Sequence, residues 1–127
     1  CDEPVSSVDF YPTLLELVGA MPGAEKPVDG ASLVPLLKQT GPLAPRDLFW
    51  HYPHFDLKGA EPGGVVRQGD YKLIEFYSDN RLELYDLSKD LGETQNLAGQ
   101  LPEKVNQLHT LLKDWRQSLG VSTDILD

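Results

Sequence analysis

The chain has 127 residues, 40% hydrophobic and 24% charged, with eleven basic against twenty acidic side chains and a net charge of −9. That length holds one core, or one small domain plus elements of a larger one, and the composition is that of an ordinary soluble chain. It argues against a spanning helix, against nucleic acid or anionic lipid as partner, and, with Cys1 as the only cysteine, against an internal disulfide or cysteine zinc site.

The opening has neither an initiator Met nor a basic-then-apolar leader, and reads as a cut within a longer polypeptide. Ser6, Ser7 and Asp9 offer N-caps for an apolar-periodic segment that stops at Gly19, with Pro12 tolerated in its first turn. Phe10, Leu14, Leu17 and Val18 form one face of this helix, while Tyr11 and Leu15 spill onto the flank. A helix this apolar belongs between two layers, and the chain offers only one. A Pro/Gly loop runs from Met21 to Gly30, and Ser32 caps a second short helix over Leu33 to Lys38.

Arg46 to Tyr52 reads as an aromatic strand, with Leu48, Trp50 and Tyr52 on one face and Phe49 and His51 on the other. Pro53 stops it, and His54 to Gly63 is an exposed loop of a length that often carries function. The stretch from Gly63 to Leu97 organises the chain. Val65 to Arg67 lead to a turn at Gly69, Tyr71 to Tyr77 alternate with Leu73, Glu75 and Tyr77 on one face, and Asp79-Asn80 turns into Arg81 to Leu87. Asp86 to Asn96 favours turns over a further strand. Pro102 then starts a helix presenting Val105, Leu108, Leu111, Leu112, Trp115 and Leu119 at spacings of three or four, and Val121 to Asp127 is a tail. The predicted fold is α+β, an antiparallel meander of about four strands packed by a long C-terminal helix and preceded by short helices.

Candidate chemistry is sparse. Cys1 has no base near in sequence, and the run Asp86, Asp90, Glu93 lacks calcium-loop spacing, so neither a catalytic residue nor a metal ligand is assigned. His51 and His54 flank Tyr52-Pro53 beside the long loop, and Arg67 follows it on the next strand with a fork of donors suited to an anion. These three are the candidate substrate-binding residues; an ordinary surface or core position for either histidine, and an internal ion pair for Arg67, remain open. His109 reads as a boundary or exposed residue of the long helix.

Five blocks carry a family resemblance. Ser7 to Gly19, Asp29 to Leu37, Arg46 to Trp50, Arg67 to Leu73, and Glu83 to Leu87 with Asp90, Gly92-Glu93 and Asn96-Leu97 together resemble the late region of the sulfatase family, most like bacterial enzymes of the arylsulfatase and N-acetylgalactosamine-6-sulfatase type. The resemblance implies a parent that hydrolyses sulfate esters of a sulfated carbohydrate in the periplasm or outside the cell. It also implies an alkaline-phosphatase-like α/β domain that carries the site, ending within residues 1–45, and a C-terminal subdomain over 46–127. That family uses calcium and a formylglycine made in a Cys/Ser-x-Pro/Ala-x-Arg motif. Cys1 departs from the motif, because Glu3 and Val5 stand where Pro or Ala and Arg belong. The implied piece is therefore inactive alone and lacks its catalytic domain, and without that domain the apolar face of the first helix is expected to drive self-association or to leave the helix misplaced. The competing readings are a stand-alone α+β binding module and a piece of a phosphodiesterase of the same superfamily.

Overall fold

A computed structural model describes residues 1–20, 28–55 and 59–123 of the chain. Most of the Met21 to Gly30 loop, the middle of the His54 to Gly63 loop and the last four residues lie outside the described residues. The chain divides into two compact units, Cys1–Pro45 and Arg46–Asp127.

In the second unit, β1 (Leu48–Tyr52), β2 (Gly63–Gln68), β3 (Tyr71–Phe76) and β4 (Leu82–Asp86) form one antiparallel sheet in the order β1-β2-β3-β4. The β2–β3 hairpin turns at Gly69, whose φ of 57° suits a residue without a side chain, and Asn80 takes a φ of 58° in the next turn. Because opposed residues share a face, the register sets Phe49 with Val66, Leu73 and Leu84 on one side, and Trp50 with Val65 and Ile74 on the other.

The first of these faces is covered by α3 (Pro102–Leu119). Val66, Leu73 and Leu84 meet Val105, Leu108 and Leu112 in the core, flanked by Phe49, Leu97, Leu111 and Trp115. Phe49 of the edge strand stacks on Trp115 with ring centroids 4.9 Å apart. Leu119, one turn beyond Trp115, is exposed. This corrects the expectation that Leu119 belongs to the core stripe. The connection from β4 folds on itself as its turn-rich composition predicts: Asp90 accepts from the amides of Thr94 and Gln95, and Asp86 from Ser88 and Lys89. Asn96 Oδ1 accepts the Leu84 amide, and the Leu97 amide bonds the Leu84 carbonyl.

The first unit holds a 3₁₀ turn over Ser7–Asp9 running into α1 (Phe10–Leu17), and α2 (Val34–Leu37). A polar clasp joins them. Buried Asp9 accepts from the amides of Ser6 and Ala31, while Thr13 Oγ1 donates to the Asp9 carbonyl and accepts from the Leu33 amide. Phe10, Tyr11, Leu14, Leu17 and Val18 are all more than half exposed. No helix among the described residues is long and apolar enough to cross a membrane.

Candidate functional site

The C-terminal end of β1 is where the sheet brings polar chemistry together. Glu75 alternates with Leu73 on the core face of β3, and Arg116 lies one turn beyond Leu112 on the core stripe of α3. They are 6% and 5% exposed, and two buried charges persist only when paired and fully hydrogen-bonded. Arg116 Nη1 donates to Glu75 Oε2 and, at 3.1 Å, to the Tyr77 hydroxyl, while His109 Nε2 stands 3.0 Å from Glu75 Oε1. The chain of contacts ends at His51, whose Nδ1 is 2.7 Å from the Tyr77 hydroxyl.

Burial alone would raise the Glu75 carboxyl, but the bonds from Arg116 and His109 outweigh it and hold it below its ordinary value. His51 is pushed below its ordinary value by burial, with the Arg116 guanidinium and His54 adding to the effect. Burial also raises Tyr77, which keeps its phenol protonated. Gly64 of β2, opposite His51, makes room for the network: a Cβ there would lie 2.6 Å from the Tyr77 hydroxyl and 3.1 Å from Arg116 Nη1.

The three sequence candidates are not gathered in one place. His54 is exposed and sets its ring edge-on to Tyr52, with centroids 5.5 Å apart. His51 is half-buried on the helix-covered side. Arg67 pairs with Leu48, so it lies at the end of β2 away from the His54 loop and on the face opposite to His51. There it donates through Nε to the Gly69 carbonyl at 3.2 Å and lines a shallow cleft of about 400 Å³ with Trp50, Val65, Lys72, Leu87, Leu91 and Glu93. Lys72 in this cleft is neutralised by Glu93, both carboxylate oxygens being 2.7 Å from Nζ.

Glu75, Tyr77 and Arg116 were not singled out in the sequence, although a signal existed. The alternation that puts Leu73 inward puts Glu75 inward too, and a carboxylate there demands a cation on the facing helix. Arg116 falls four residues after Leu112 and supplies it. His109, expected at a boundary or in solvent, is a boundary residue bound to that same carboxylate. Among the described residues no three His, Cys, Asp or Glu side chains are grouped to hold a metal ion.

The C-terminal family of N-sulphoglucosamine sulphohydrolase matches residues 1–118. A protein described as a sulfatase from Formosa agariphila is 38% identical over 112 residues, covering 80% of this chain and 20% of that protein. An N-acetylglucosamine-6-O-sulfatase from Bacteroides thetaiotaomicron is 32% identical over 116 residues, covering 85% of this chain and 20% of the relative. A solved structure bound to its substrate, D-glucosamine-2-N,6-O-disulfate, superposes with a TM-score of 0.68 at 29% identity, over 86% of this chain and 23% of that one. The chain thus spans about a fifth of the length of the curated relatives it matches.

Proposed function

The chain belongs to the sulfatase family, as its N-sulphoglucosamine sulphohydrolase C-terminal portion, and from that premise we propose that it is part of an enzyme that hydrolyses sulfate esters of a carbohydrate. The observation that carries the proposal is the family match over residues 1–118, joined to relatives of whose length the match covers only 20%. The formylglycine nucleophile and calcium would be supplied by polypeptide outside these residues, since the sequence holds no Cys/Ser-x-Pro/Ala-x-Arg motif. Residues 1–45 are then the end of the large domain, and 46–127 the C-terminal subdomain. The apolar side chains of α1 would be covered by the rest of that large domain, and without it they drive self-association. An exported compartment, periplasmic or extracellular, suits such a substrate.

In this reading the end of β1 and the loop after Pro53 form one wall of the substrate cleft. His51 and His54 offer imidazole donors to sugar hydroxyls or sulfate oxygens. Arg67, at the far end of β2 and on the opposite face of the sheet from His51, stands apart from that wall and offers its guanidinium to an anionic group only at a separate point of contact. The testing experiment is sulfate release by the intact enzyme, matured for formylglycine, on defined sulfated saccharides and on a phosphodiester. Release of inorganic sulfate from a saccharide supports the proposal. Faster cleavage of the phosphodiester, or no release of sulfate, overturns it.

A further inference from the structure

The hydroxyl of Tyr77 has one proton to give. Arg116 is only ever a donor, so its 3.1 Å contact uses the phenolic oxygen as acceptor. The other hydrogen-bond contact of that hydroxyl is His51 Nδ1 at 2.7 Å. A proton on Nδ1 would also point at the phenolic oxygen, and the hydroxyl hydrogen of this buried residue would be left without an acceptor among the described residues. Tyr77 therefore donates, and Nδ1 accepts.

We propose that Tyr77 is a positioning residue: anchored by Arg116 on Glu75, its hydroxyl fixes His51 as the neutral imidazole protonated at Nε2, leaving that N–H as the ring's single donor to the saccharide. This rests on the reading that His51 lines the substrate wall. The surroundings agree from every side. Tyr77 and Glu75 face the ring's end of the network from β3, Arg116 and His109 from α3, and His54 from the chain after β1. A second proton on His51 would confront the Arg116 guanidinium, while the one carboxylate in the network is already engaged by Arg116 and His109. Opposite His51, β2 carries Gly64, whose missing side chain leaves the space that the Tyr77 hydroxyl occupies. A ring held this way donates to a hydroxyl or a sulfate oxygen without first having to be charged.

The imidazole nitrogen spectrum of the ¹⁵N-histidine-labelled chain tests the assignment. The expected result is a neutral His51 with Nε2 protonated and Nδ1 bare, replaced in Tyr77→Phe by a mixture of tautomers that protonates at higher pH. A proton on Nδ1 in the unmodified chain overturns the proposal whether or not the variant folds, as does an unchanged tautomer in Tyr77→Phe. In the intact enzyme His51→Asn keeps an acceptor for Tyr77 but has no donor at the Nε2 position. Its KM should rise about tenfold with kcat nearly held, the size of one lost hydrogen bond. Tyr77→Phe should raise KM by a few-fold. If the Nε2–H tautomer is found and both variants leave KM unchanged, the substrate-wall reading falls while the tautomer assignment stands.

Discussion

The two units differ in how they treat their apolar side chains. In residues 46–127 the core face of the sheet and the core stripe of α3 meet each other, and even the inward charges, Glu75 and Arg116, are paired. In residues 1–45 the clasp of Asp9 and Thr13 is buried and satisfied, yet Phe10, Leu14 and Leu17 stand 60%, 62% and 53% exposed. The contrast teaches that local hydrogen bonding can fix a helix without burying it. One unit buries its apolar faces within itself, and the other leaves the apolar side chains of its first helix in solvent.

The sharpest way to break that comparison is to remove a charge from the second unit. Glu75→Ala leaves Arg116 buried without its carboxylate and should lower the stability of residues 46–127 by about 3–5 kcal/mol, measured by chemical denaturation followed at the Phe49–Trp115 stack. Leu108→Ala, which opens a cavity at a side chain with no exposure, should cost about 2–5 kcal/mol on the same measurement. Gly64→Ala forces a methyl against the Tyr77 hydroxyl and should cost about 1–3 kcal/mol, and it should disturb the His51 ring resonances where Leu108→Ala does not.

Acid sharpens the comparison further. His51 is held below 6.5 in the fold, so the unfolded chain takes up its proton first, and its contribution is complete above pH 6.5 and lost as pH falls through its lowered value. Glu75 is held below 4.5, so the stabilisation it supplies is present above that pH and is lost on further acidification. Stability of residues 46–127 should therefore fall in two stages on acidification. His51→Asn should flatten the upper stage and leave the lower one, and a melt series in which both stages survive that change contradicts the assignment. The smallest effect is expected at Leu14→Ala, within about 0.5 kcal/mol in the chain alone because the side chain is already in water. The same change should cost several times more in the intact enzyme, where that side chain would be covered.

Most of the fold was legible because the elements announce themselves by period. Leu73, Glu75 and Tyr77 alternate as a strand, Val105, Leu108 and Leu112 repeat as a helix, and Gly69 and Asn80 sit where the turns demand positive φ. The surplus of apolar residues on α1 was legible in the same way, and the structure places them in solvent. The candidate site was less so. His51 and Arg67 both lie near one loop in sequence, but which face and which end of a strand a residue occupies depends on register, and the pairing of Leu48 with Arg67 sets them apart. The Glu75–Arg116–Tyr77 network links residues forty positions apart, and no local pattern reports such a pairing.

Amide hydrogen exchange, read at α1 and at α3 in the isolated chain and again in the intact enzyme, bears most directly on the claim that one unit is self-sufficient and the other is not. The amides of Leu108 to Leu112 should exchange equally slowly in both, while those of Leu14 to Leu17 should be protected only in the intact enzyme. Equal protection of α1 in the isolated chain, measured where it is monomeric, would contradict the account.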